Sequence, residues 1–235
     1  VIRDGYACRP PPSEELRSQL GRLRLSEGNA QTEALLTGPA KGGGEGAARG
    51  AKMGVKFVLQ GGDPFAFLFV PPAALMGTVV GAVRAMPAAE FDAKAQALRT
   101  AMEELKVPET FRRCVADRLQ ELTSTPGSRV MFEEPASTTL EVIVEQVGLT
   151  GAVEPINPPL SFVLTERTRL IRVSDGAELY GHWLTYRGRL RSLEEWFVQN
   201  SINSMLLREE ADRACRELAE RLVDEVFLLY RPGTE

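Results

Sequence analysis

The chain has 235 residues, a formal net charge of −4, 43% apolar residues, one histidine and three cysteines. That length fits one large domain or one domain with extensions, and the mild negative charge excludes a global field drawing the protein to nucleic acid or to an anionic membrane. Cys8, Cys114 and Cys215 are far apart and form no CxxC, which argues against a zinc centre and a disulfide framework and leaves ordinary free thiols.

The residues VIRDGYA ahead of Cys8 include Arg3 and Asp4 and no apolar core, so as they stand they do not read as a signal peptide. Arg9–Pro12 is a stiff extended segment, Ser13–Leu16 opens a short helix, and Leu20–Leu25 is a short strand. Glycine then recurs at every fourth position: Gly38, Gly42, Gly46, Gly50 and Gly54. On a helix this step lines one face with glycine and lets another helix approach closely. Each interior glycine costs a helix about 1 kcal/mol, however, and Gly42-Gly43-Gly44 is a poor start, so the run reads as a loop with an unusual period.

From Pro64 to Val83 there are twenty residues without a charge, the length of a membrane-spanning helix. The Pro71-Pro72 pair splits the stretch into an extended arm, Phe65–Val70, and a short apolar helix, Ala73–Met86; neither half spans a bilayer. The stretch reads first as a buried or interfacial element and second as a segment inserted into a membrane. Gly77 and Gly81 give its helix a face for close packing. The expected packing or membrane-contact residues are Phe65, Phe67, Phe69, Gly77, Val80 and Gly81.

Phe91, Ala95, Leu98, Met102 and Leu105 mark one helical face, Val107-Pro108 breaks it, and Phe111, Val115, Leu119 and Leu122 mark a second. The pair predicts a helical hairpin ended by Thr125-Pro126-Gly127. Four β-rich segments follow: Arg129–Glu133, Leu140–Leu149, Ser161–Val173 and Glu178–Arg187. Ser174-Asp175-Gly176-Ala177 is a tight hairpin turn, and Glu154–Pro159 is a proline-rich corner. Ser192-Leu193-Glu194-Glu195 is a capping box, with a bend or restart at Asn200-Ser201. Leu207, Ala211, Ala214, Leu218, Leu222, Val226 and Leu229 form a long apolar stripe beyond it. Glu209–Arg213, Asp212–Arg216 and Glu217–Arg221 are spaced for ion pairs along its outer side. The expected fold is α+β: a mostly antiparallel sheet of about four strands packed by the helical hairpin and the long C-terminal helix. Residues 1–86 are the irregular glycine- and apolar-rich part and 87–235 the α+β domain.

No catalytic constellation stands out. His182 is a lone histidine on the strand face of Tyr180 and Leu184, and reads as structural. There is no GxSxG, no P-loop ending and no GxGxxG after a strand. The adjacent acidic pairs do not by themselves converge. Arg187, Arg189 and Arg191 in YRGRLR read as a solvated hairpin end, with Trp183, Tyr186 and Trp196 pinning sheet to helix. No catalytic, cofactor or metal residue is assigned.

The glycine-rich KGGGEGAARGA, the apolar GTVVGAV, the helical pair after Pro87 and the LEVIVEQVGL strand occur in a fixed order. The INPPLSF corner, the RLIRVSDGAELY hairpin and the helix from EEWF to ELAERLVDEVFLLY complete it. Over roughly Gly38 to Tyr230 this is similar to a class of poorly characterised bacterial envelope lipoproteins. The resemblance implies export, an N-terminal lipid anchor and residence on the periplasmic side of a membrane. It carries no activity, so the expected role is non-enzymatic: assembly or protein–protein interaction with a membrane or envelope partner or within a homo-oligomer, with no nucleic acid and no cofactor. The alternatives are a soluble small-ligand binder or enzyme with an unrecognised site, and a membrane-inserting protein using residues 65–83. The segment between Leu122 and Leu140 has room for a strand but not for a crossover helix as well.

Overall fold

The computed structural model describes residues 2–3, 6–7, 22–27, 32–45, 47–48, 85–123, 135–152, 157–199 and 201–228. β1 (Ile2–Arg3) and β2 (Tyr6–Ala7) form a small antiparallel ladder of their own. The main sheet contains β3 (Leu23–Glu27), β4 (Glu33–Thr37), β5 (Thr138–Gly151), β6 (Leu160–Arg172) and β7 (Glu178–Arg187). β5, β6 and β7 are consecutive antiparallel neighbours. The expected α+β architecture with a mostly antiparallel sheet is therefore present.

β5 organises the sheet. Its residues Leu140, Val142, Val144, Val147 and Leu149 are buried on the helix-covered face. Alternation alone would continue from Val144 to Gln146. The phase slips because the ladder with β6 shifts register between Val144 and Gln146, leaving Glu145 as the extra residue of a bulge. On its other edge β5 receives two short strands end to end. β3 runs parallel to Thr138–Val142 and β4 parallel to Gln146–Thr150. At the interruption Thr32 Oγ1 donates to the Val144 carbonyl at 2.9 Å.

Two features of the sheet go beyond that expectation. The boundary at residues 86 and 87 does not separate the sheet from what precedes it, because residues 23–37 fill the edge of β5 and Leu23 is in the core. The reason is that an open edge of β5 would leave a row of backbone donors and acceptors unpaired. Parallel pairing in turn needs a crossover. It is carried by α1 (Ala88–Leu105) and α2 (Val107–Thr123), before Leu122 rather than after it. The strand expected at Arg129–Glu133 lies outside the described residues.

α1 and α2 meet at Lys106, the left-handed residue that ends α1 (φ 48°), and Pro108 sits in the first turn of α2, where a missing N–H is harmless. The capping box closes as expected, with Glu195 N donating to Ser192 Oγ at 3.3 Å and Ser192 N to Glu195 Oε2 at 2.7 Å. It starts only the short α3 (Leu193–Trp196). A tight hairpin of β8 (Phe197–Val198) and β9 (Ser201–Ile202) follows, turning through Gln199 (φ 58°). The helix restarts as α4 (Ser204–Val223), capped by the Asn203 side chain, which accepts from Leu206 N at 3.3 Å. α4 continues into a π-helical turn, Asp224–Leu228. Leu207, Ala211, Ala214, Leu218, Leu222 and Val226 of the expected stripe are all buried, and Leu229 lies outside the described residues. The ion pairs differ from the expected set: Arg213 reaches Glu210 (3.1 Å), Arg221 reaches Glu225 (4.0 Å), and Arg216 Nε donates to the Asp212 carbonyl (3.3 Å). α1 packs on β4 and β9, while α2 lies along α4 over the sheet.

Gly38 sits in a bend, and Gly42 makes the turn that opens a short helical segment, residues 42–45, where the sequence reads as a loop. Gly38 has φ 117° and Gly42 φ 73°, both left-handed values that L side chains rarely adopt. Gly42 N donates to the Met86 carbonyl (2.8 Å) and Met86 N to that of Ala40 (3.1 Å), so this turn is tied to the start of α1. Gly46, Gly50 and Gly54 lie outside the described residues.

Gly148 is glycine for a different reason: a Cβ there would fall on the backbone carbonyl of Leu35 in β4. Gly148→Ala should therefore force β4 off β5 and destabilise the protein by about 2–4 kcal/mol, in the range of overpacked core sites. Gly44→Ala, with nothing within 4 Å of the added carbon, should stay within about 0.5 kcal/mol. Urea denaturation of both variants checks this; equal midpoints would contradict the close approach.

Candidate functional site

The expected contact residues Phe65, Phe67, Phe69, Gly77, Val80 and Gly81 all lie outside the described residues. Within them, the chemistry is concentrated in polar groups that the sheet carries into its own core. Along β6 the helix-covered face reads Leu160, Phe162, Leu164, Glu166, Thr168 and Leu170, and every one of these is buried. A carboxyl group and a hydroxyl thus interrupt an apolar row.

Glu166 is 0% exposed. Its Oε2 accepts from Thr168 Oγ1 at 2.6 Å, and its Oε1 has no hydrogen-bond partner. Burial pushes its pKa up from 4.5 to about 8, and the carboxylates of Glu225 and Glu145 add to the rise; the Thr168 hydroxyl and the Arg221 cation oppose it. At neutral pH Glu166 is therefore an uncharged acid. Directly opposite Thr168 in the ladder stands His182, 4% exposed. As alternation predicts, it shares its face with Tyr180, on which it stacks with ring centroids 5.9 Å apart. Its Nε2 lies 2.8 Å from Glu225 Oε2 on the π-helical turn. The angles at Nε2 fall outside those of a hydrogen bond.

A second buried carboxylate, Glu210 of α4 (1% exposed), accepts from Tyr186 Oη at 2.7 Å and pairs with the half-exposed Arg213. Burial and the Glu210 carboxylate raise the Tyr186 pKa beyond its ordinary value. Trp196 Nε1 donates to the Leu160 carbonyl at 3.1 Å. Tyr186 and Trp196 thus pin helix to sheet as expected. Trp183 does not: it faces the other side of the sheet beneath the Arg167 guanidinium, 4.8 Å away. There Arg169 joins Glu141 (Nε to Oε2, 2.6 Å) and lies 3.6 Å from Glu178. Arg187 and Arg189 are exposed, and Arg191 is 3.7 Å from Glu195, in keeping with a solvated end.

The two described cysteines are free. Burial pushes the Cys215 thiol up to about 12 and raises that of Cys114, so neither is a ready thiolate. Among the described residues, no group of three or more His, Cys, Asp or Glu is placed to hold a metal ion, and no helix is long and apolar enough to cross a membrane. A shallow depression at one end of the sheet is lined by Ser137, Arg172, Val173 and Leu179, with no buried acid or base in it. What the described arrangement can do chemically is hold and release a proton inside the core, at Glu166. Sequence reading missed that residue, although its signal is there: an acidic side chain on the face that alternation reserves for Leu164 and Leu170.

No protein-family model matches the chain, and no curated protein matches it in sequence. Solved structures share part of its arrangement. A Xanthomonas campestris protein of the DUF330 family is 11% identical with a TM-score of 0.36, over 49% of this chain and 58% of that one. A provisionally assigned lipoprotein from Caulobacter crescentus is 17% identical with a TM-score of 0.27, over 49% and 76%. The PelC dodecamer from Paraburkholderia phytofirmans is 18% identical with a TM-score of 0.31, over 51% and 76%. The match thus spans less than two thirds of the Xanthomonas protein, and likeness this distant carries no activity or partner to this chain.

The elevated Glu166 pKa has a definite consequence for stability. A group whose folded pKa lies above its unfolded one contributes stability that is full below the unfolded value and lost as pH rises through the folded value. Glu166→Gln keeps the neutral shape and cannot ionise. It should therefore gain on the wild type from about pH 4.5 to about pH 8, reaching on the order of a few kcal/mol before levelling off. Denaturant midpoints at about pH 5 and pH 9 read the margin; an identical margin at both would mean that Glu166 is already charged in the fold.

Proposed function

We propose that this chain is a non-enzymatic bacterial envelope lipoprotein that acts through assembly or protein–protein interaction on the periplasmic side of a membrane. The observation that carries this reading is the twenty-residue uncharged stretch Pro64–Val83, with Gly77 and Gly81 four residues apart in the half that the sequence reads as a helix, ahead of the α+β domain in the chain. A stretch too apolar for a free surface and too broken by Pro71-Pro72 to span a bilayer suits contact with a membrane surface or with a partner's helix. Residues 1–86 supply that attachment and also close the sheet edge; residues 87–235 supply the folded body. The partner is a membrane, an envelope protein or a second copy of the chain.

Expression of the encoded protein in a Gram-negative host, followed by fractionation and mass spectrometry, tests the reading. The expected result is a membrane fraction released by detergent and an acyl chain on the protein. Recovery as soluble, unacylated protein would overturn it. In the same assay, Gly77→Leu should reduce membrane or partner recovery several-fold more than Gly46→Leu, because the sequence sets Gly77, unlike Gly46, within an uncharged apolar stretch. Dye release from liposomes by the wild-type chain, abolished by Val80→Asp, would favour the membrane-inserting alternative instead.

A further inference from the structure

The C-terminal turn of the domain is tied to its neighbours on two sides. On one, Asp224 Oδ1 accepts from Arg118 Nη2 of α2 at 3.2 Å. On the other, Glu225 reaches down to His182 on β7 at 2.8 Å, with Arg221 one helical turn back at 4.0 Å. Between these ties Val226 is fully buried. The turn is π-helical, a wider and rarer winding than the α-helix it continues, and one that often marks a functional position. Near it the sheet carries a row of polar groups: His182, 2.8 Å from Glu225, stands opposite Thr168 in the ladder, and Thr168 is bonded to Glu166. Glu166 ends that row with one oxygen unpartnered and no solvent exposure.

We propose that the π-helical turn Asp224–Leu228 is a pH-released latch, seated on the sheet while Glu166 is an uncharged acid and lifted when Glu166 ionises. The charges that act on Glu166 are Glu145 from β5, Arg221 from α4 and Glu225 from the turn; Thr168 bonds it from its own strand, and His182, stacked on Tyr180, stands on β7 opposite Thr168. Two of these are carboxylates and only Arg221, itself shared with Glu225, is a fixed cation. A charge appearing on Glu166 meets like charge from above and has no solvent around it. β5, β6 and β7 are locked in long ladders and cannot yield. The turn at the end of α4 can, because lifting a terminal helical turn costs far less than opening the sheet. Lifting it moves Glu225 away and admits water to the Glu166 carboxylate. The transition runs in one direction only: raising the pH releases the turn and lowering it reseats the turn.

Amide hydrogen exchange on the full chain, read as protection factors so that the intrinsic pH dependence cancels, tests this. In the wild type, protection of residues 225–228 should fall at least about tenfold between pH 6.5 and pH 9, one pKa unit's worth of coupling, while the amides of α2 hold steady. Glu166→Gln should abolish that fall. Glu225→Gln should blunt it, even with a lower starting protection, because the repelling charge is gone. An equal fall in Glu166→Gln, an undiminished fall in Glu225→Gln, or steady protection in the wild type would each overturn the latch. Any of these results leaves the envelope reading untouched, since the assay involves neither membrane nor partner.

Discussion

The pairing of β5 on both of its edges is the constraint on which the rest of the structure depends. Along one edge it runs antiparallel to β6 from Thr138 to Gly151; along the other it accepts β3 and β4 in parallel. The parallel edge requires a crossover, and the crossover places α1 and α2 on a single face. α4 then returns to the same face, and Leu119, Leu218, Leu164 and their neighbours become one core. The bulge at Glu145 preserves this arrangement. Without the extra residue, Val147 and Leu149 would turn away from the helices, because a slip of one residue reverses every side chain beyond it.

A core of this kind tolerates polar groups only where their charge or hydrogen bonds are answered. Glu210 is answered by Tyr186 and Arg213. Glu166 is answered by Thr168 on one oxygen and by protonation on the other, which is why its acidity is so displaced. The first arrangement fastens α4 to β7 through the hydrogen bond from Tyr186 to Glu210. The second makes the region beneath the end of α4 depend on a proton, so the two ends of one helix are secured by different chemistry.

How legible this was varied with the range of the interaction concerned. Periodicity located both crossover helices, because an amphipathic face is written within a few turns, and the Asp175-Gly176 turn was plain, closed by Ala177 N donating to Asp175 Oδ1 at 3.1 Å. The strand Glu33–Thr37 was not foreseen: EALLT is short and lacks clear alternation, and what makes it a strand is the waiting edge of β5 more than a hundred residues later. The break in the last helix was expected at Asn200-Ser201, but its form, the hairpin of β8 and β9, was hidden. Phe197 and Val198 fit a helical stripe as well as a strand, and the burial of Phe197 decides between them. Glu166 was readable as a broken alternation, but its meaning depends on burial and on the charges of Glu225 and Glu145, which act on it from other elements.

Sequence by itself determined the α+β class, the helical faces, the hairpin turn and the capping box, because each is set by side chains a few residues apart. It also marked the uncharged Pro64–Val83 stretch that motivates the functional reading. Only the tertiary structure decided that residues 23–37 belong to the sheet, that Gly148 must be glycine, and that Glu166 and His182 share one row of polar groups near Glu225. Those facts rest on backbone edges and buried charges meeting across long separations, where no local pattern specifies the partner.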